Sequence, residues 1–131
     1  MEIVTGAGIG GGPHVRIFNV SGRLLNSGWF AFDKNNRGGI TIAIGNLDGQ
    51  GEKEIIIGSG RGLAPTVHLY RSNGQFFANG FLVYDKKFTG GVNVASGDLN
   101  NDGLDEIVTG AGVGGGPHVR IFDSTGASWG K

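Results

Sequence analysis

The sequence predicts an all-β protein built from a repeated unit of short strands, and three observations predict it. Glycine supplies 28 of the 131 residues and proline only 3. That density of helix breakers rules out long helices, and the scarcity of proline argues against low-complexity disorder. The chain also repeats itself every 52 residues: EIVTGAGIGGGPHVRIFN starts at Glu2, EIIIGSGRGLAPTVHLYR at Glu54 and EIVTGAGVGGGPHVRIFD at Glu106. Finally, apolar residues alternate at Ile40, Ile42 and Ile44 and again at Val92 and Val94, the period of a strand with one buried face.

Each unit resolves into four strands. The first is GGITIAIG (38–45) or GGVNVASG (90–97), and the second is the apolar EIVTG or EIIIG. A glycine loop leads to the third, PHVRIF or PTVHLY, with Val15 and Ile17 on one face. The fourth is the aromatic RLLNSGWFAF (23–32) or QFFANGFLVY (75–84), after a turn at NVSG or RSNG. Asp33 and Asp85, with Gly38-Gly39 and Gly90-Gly91, read as turn formers between units. Four antiparallel strands in about 50 residues describe a propeller blade.

On this reading, a single domain spans 1–131. Residues 1–37 are a partial blade, 38–89 a full blade and 90–131 a second partial blade, about two and a half blades where propellers typically hold roughly four to eight. Open terminal blades expose unpaired edges and an apolar face. The ring is therefore expected to close by self-assembly of copies or through missing parts of a longer protein. Glu2–Phe18 and Glu106–Phe122 differ only at Ile9 against Val113, so the two ends could compete for one place in a blade.

The bulk numbers narrow the function. Eleven basic and 11 acidic residues cancel, and no basic stripe exists to track a phosphate backbone, which argues against nucleic acid. There is no cysteine, so disulfides contribute nothing. No apolar run reaches the roughly 18 residues of a membrane span. The N-terminus, MEIVTGAG, lacks the regions of a signal peptide; an export signal, if the protein is secreted, is expected outside these residues.

The chemistry concentrates in DLNNDGLDE, residues 98–106. Oxygen side chains stand at alternate positions, Asp98, Asn100 and Asp102, followed by Gly103 and, at the ninth position, Glu106. Leu104 at the seventh would add a main-chain carbonyl. A hard cation such as Ca²⁺ takes about six to eight oxygen ligands at about 2.3–2.6 Å, and a short loop supplies them only if it turns sharply, as glycine permits. An EF-hand needs a glutamate at the twelfth position between two helices. Here the twelfth residue is Thr109 and both flanks are strand-like. The bland alternative is a solvated Asx-rich turn without metal.

With these residues in view, GDLNNDGLDEIVTGAGVGGGPHVRIF resembles the FG-GAP repeat, also called the VCBS or integrin-α-like repeat. The resemblance covers nearly the whole chain and recurs within it. It implies β-propeller blades, a calcium loop joining the first two strands of a blade, and ligand binding or adhesion outside the cell. Carried over by position, it places the Ca²⁺ ligands on Asp98, Asn100, Asp102, Leu104 (through its carbonyl) and Glu106. The middle copy departs from the pattern. Its loop offers Asn46, Asp48, Gln50, Glu52 and Glu54, with two carboxylates instead of three at the matching side-chain positions and Lys53 nearby. Fewer charges mean weaker binding, or a turn that keeps its shape without the ion. The first copy retains only Glu2.

The expected function is that of a non-catalytic calcium-binding module for extracellular adhesion or ligand binding, with a protein or glycan as partner. Alternatives are a lectin-type propeller and an accessory domain of a secreted enzyme. Three other signals read as structural. Gly6, Gly8 and Gly11, and again Gly110, Gly112 and Gly115, fit G-x-G-x-x-G. Phosphate binding needs a helix after that motif, and here proline and a strand follow. His14, His68 and His118 would have to converge to hold zinc. Trp29 and Trp129 suit either core packing or an interface.

Overall fold

Turn chemistry and alternation place strands very nearly where the repeat predicts them. The computed structural model describes residues 1–129, and over these the chain is all-β, arranged as three small antiparallel sheets that fit partial propeller blades. The first holds β1 (Glu2–Gly6), β2 (His14–Asn19) and β3 (Leu24–Phe30). The central one holds β4 (Ile40–Gly45), β5 (Glu54–Ser59), β6 (Thr66–Tyr70) and β7 (Phe76–Leu82). The third holds β8 (Val92–Gly97), β9 (Glu106–Ala111) and β10 (Val119–Phe122). Strands pair in chain order within each sheet. A lone bridge from Phe122 to Ser128 repeats the Tyr70–Phe76 pairing one unit on. The last two residues of the expected 90–131 segment lie outside the described residues.

The central sheet is buried on both faces, which explains the unbroken apolar run of β5. Ile55 and Ile57 pack with Val15, Ile17 and Ala31 of the first sheet. Ile56, Val67 and Leu69 pack with Val92, Ile107 and Phe122 of the third. The alternation of β4 divides the same way: Ile40 and Ile42 join the first interface, Ala43 the second. The terminal sheets lack such cover. Ile3 is 47% exposed where its repeat partners Ile55 and Ile107 are at 1% and 0%, and Val119 is 64% exposed where Val67 and Val15 are at 0%. Ile44, expected inward by alternation, is 42% exposed because no strand pairs with the free edge of β1 beside it.

Adjacent blades are tied at both ends. At one end the Asn46 carbonyl accepts from the Asp105 amide at 2.8 Å, and the Asp105 carboxylate accepts from the Asn46 amide at 2.7 Å. At the other, the Ile40 amide donates to the Ala7 carbonyl at 2.9 Å, and the amides of Gly10 and Gly62 donate to the carbonyls of Arg37 and Thr89 in the segments that lead into the next sheet. Here glycine is required by close approach. A Cβ on Gly60 would lie 1.9 Å from the Gly39 carbonyl oxygen, and one on Gly112 would lie 2.2 Å from that of Gly90. Gly60→Ala should therefore lower the thermal midpoint by well over 5 °C, since main chain cannot yield as a side chain can. Ala at Gly51, which has open space, is the matched control in the same melt.

A second tie runs from the third strand of one blade to the end of the previous one. Arg120 donates to the Val83 carbonyl at 2.8 Å, and His68, at the same repeat position, bonds the Ala31 carbonyl through Nδ1 at 2.8 Å and stacks on Phe32. Burial pushes the His68 imidazole below its ordinary value of 6.5, opposed by the bond to Ala31. The fold thus favours neutral His68. Its contribution to stability is present above about pH 6.5 and is lost as pH falls from there through the depressed folded value. His68→Arg installs the residue found at Arg16 and Arg120. It should remove this part of the acid destabilisation, which melts of both proteins from pH 7.5 to 5 will show as a flatter profile for the variant.

Candidate metal centre

The loop from Asp98 to Asp105 joins the first two strands of the third sheet, β8 and β9. Its carboxylates are organised by main-chain amides. Asp98 Oδ1 accepts from Asn101 at 2.7 Å and from Asp102 at 3.1 Å, and Oδ2 accepts from Gly103 at 2.9 Å. Asn100 Oδ1 accepts from the same Asp102 amide at 3.1 Å, so the oxygens of Asp98 and Asn100 converge on one donor. Asp102 Oδ1 accepts from Leu104 at 2.9 Å. Two residues make the bend: Asn101 has φ 65°, the one non-glycine positive φ among the described residues, and Gly103 has φ 88°. Asparagine tolerates that region better than other side chains do.

Glu106 closes the loop from below. It is only 3% exposed, and its Oε2 accepts from the Leu99 amide at 2.8 Å. Its repeat partner Glu54 is 2% exposed and does the same for Leu47 at 2.7 Å. The ninth-position acid is therefore a structural brace at the root of the loop as well as a candidate ligand. Burial, helped by the nearby charge of Asp48, raises the Glu54 carboxyl above its usual range, while the Leu47 amide lowers it. A bound cation would favour the ionised form of Glu54.

The middle loop keeps the bend at the fourth position, on Gly49 (φ 76°), and lacks the second bend, at the sixth, on Gly51. Asn46 Oδ1 accepts from Gly49 at 3.0 Å and Asp48 Oδ1 from Gln50 at 2.9 Å. Two of its acids turn to the β6–β7 turn instead. Asp48 lies 3.6 Å from Arg71, and Glu52 accepts from the Ser72 hydroxyl. Arg71 takes the place of Asn19 and Asp123, the turn-forming residues of the other copies. It places a guanidinium beside this loop. Sequence reasoning missed this ion pair, although an arginine replacing two Asx residues at one repeat position was a visible signal.

The residues of the stronger loop fit a hard cation by donor chemistry, since every candidate is an oxygen and the backbone bends at Asn101 and Gly103. Among the described residues, no three acidic or histidine side chains are gathered into a finished cage. Asp98, Asn100 and Asp102 with the Leu104 carbonyl and Glu106 would hold the ion; Asn46, Asp48, Gln50, Glu52 and Glu54 form the poorer set. The histidines do not meet: His14 stacks on Phe30, and His118 packs on Tyr84. Of the glycine motif, Gly6 lies against Ile40 and Ile42, while Gly8 has open space beside it. Trp29 packs on Tyr70 with its indole N–H buried and unpaired, and Trp129 is 39% exposed.

Comparison with known proteins gives one result. Residues 90–129 match the family model described as FG-GAP repeat, a span that holds the third sheet and its oxygen-rich loop. The match is consistent with an FG-GAP-type, integrin-like β-propeller module, and the internal repeat extends the same pattern over the rest of the chain. No curated protein and no solved structure matched.

Proposed function

We propose that the chain is a non-catalytic, calcium-stabilised binding module of the integrin-like propeller kind, acting outside the cell. The observation that carries this reading is the nine-residue oxygen loop at Asp98–Glu106, set between the first two strands of a blade within the FG-GAP match. Calcium would neutralise three carboxylates held on one bend and brace the β8–β9 junction. The effect is passive: a rigid blade displays the loops at its ends. The expected affinity is that of extracellular modules, roughly 10⁻⁴–10⁻³ M. Calorimetric titration of chelator-treated protein tests it. One site per chain in that range supports the reading, and no heat up to 10-fold above about 10⁻³ M refutes it.

Self-association belongs to the same proposal. The open faces at Ile3 and Val119 are repeat-equivalent to buried faces at the two interfaces within the chain. A trailing face of one copy would thus meet the leading face of the next, a heterologous contact that can close into a ring.

A further inference from the structure

The neutral net charge conceals a segregation along the strand axis. Antiparallel connections alternate between the two ends of a sheet, so the loops divide into two sets. The set carrying the oxygen-rich loops and the β2–β3, β6–β7 and post-β10 turns holds nine acids and three bases over residues 2, 19–23, 46–54, 71–75, 98–106 and 123–127. The opposite set, over 7–14, 32–39, 60–65, 84–91 and 112–118, holds Lys34, Arg37, Arg61, Lys86 and Lys87 against Asp33 and Asp85 alone. One end of the module is thus acidic and the other basic.

The basic end contains a hollow of about 410 Å³ where all three sheets meet, with Ile9, Gly39, Gly60, Arg61, Gly91 and Val113 in its lining. That is within the size range of small-ligand sites, roughly 300–1,000 Å³. Its walls are largely main chain, because Gly38, Gly60, Gly90 and Gly112 pack backbone against backbone. Three repeat-equivalent residues stand at its rim. Ile9 and Val113 are each 73% exposed, and between them the middle copy substitutes Arg61, also exposed. Among the described residues Arg61 has no acidic partner; only its carbonyl is engaged, by Asn36. An unpaired guanidinium between two exposed apolar side chains suits a planar anion carried on a partly apolar body.

We propose that this hollow binds a small carboxylate-bearing ligand, with Arg61 taking the carboxylate and Ile9 and Val113 flanking its body. This names the ligand chemistry of the binding module proposed above but does not require its calcium site, which lies at the other end. The test is a titration of residues 1–131 with glucuronate, N-acetylglutamate and glucose, followed by amide NMR shifts with and without calcium. Either carboxylate should move the amides of Gly39, Gly60, Arg61 and Gly91. Preference for glucuronate assigns an acidic saccharide source, and preference for N-acetylglutamate a peptide source. Glucose should bind at least tenfold more weakly. Arg61→Ile, which restores the residue type of Ile9, should weaken carboxylate binding about tenfold, the worth of one charge-assisted bond, and leave any calcium response intact. Shifts confined to the acidic end, equal binding of glucose, or an unaltered Arg61→Ile titration would each overturn the proposal.

Discussion

Replacing Asp98 with alanine should abolish the thermal stabilisation that calcium confers. At a hundredfold excess over the dissociation constant, one site stabilises by about 2.7 kcal/mol, several degrees for a domain of this size. Asp98 is the expected largest contributor because it occupies the first position and two of its oxygens organise Asn101, Asp102 and Gly103. The variant should also melt lower in chelator, since those amides lose their acceptor. The diagnostic is therefore the difference between calcium and chelator, not the absolute midpoint. Asp98→Asn keeps an acceptor oxygen, as Asn46 does in the middle loop, and separates loss of charge from loss of the turn. Asp48→Ala should leave most of the calcium shift, because Asp48 already faces Arg71. Equal calcium shifts in the Asp98→Ala and Asp48→Ala proteins would contradict the ranking of the two loops.

The second large effect concerns assembly. The wild-type chain should scatter light as a multimer at micromolar concentration, and Val119→Lys should reduce it to a monomer. Val119 is 64% exposed in the chain, yet its partners Val67 and Val15 are wholly buried between blades. A lysine ammonium placed in such an interface is desolvated without a partner, at a cost of several kcal/mol, or more than about a hundredfold in association. Ile3→Lys should act equally, because every head-to-tail contact uses both faces. Val20→Lys, exposed in the β2–β3 turn, should change nothing. A monomeric wild type, or multimers that survive both face variants, would remove self-association from the account.

Much of this architecture was legible because the chain states it more than once. Alternation at Val15 and Ile17 and at Val92 and Val94, bounded by glycine turns, located strands to within two residues or so of their observed ends. Repetition then separated position-specific roles from chance, as with Glu2, Glu54 and Glu106. What stayed hidden depends on neighbours in space. Ile44 obeys the alternation but is exposed for want of a strand beside it. The bend at Asn101 could not be read from residue type alone, since asparagine there also fits an ordinary turn. Asp105 stands outside the alternating candidate ligands, yet its carboxylate accepts from the Asn46 amide of the adjoining blade. His68, taken with His14 and His118, instead shares the place and the bond of Arg120.

A crystal structure grown in calcium, with anomalous scattering collected to locate the ion, decides whether the oxygen loop is a calcium site. An anomalous peak is expected at about 2.3–2.6 Å from oxygens of Asp98, Asn100, Asp102, Glu106 and the Leu104 carbonyl, with Asp102 withdrawn from the Leu104 amide. Only water among those side chains, with their present amide bonds intact at saturating calcium, would contradict it.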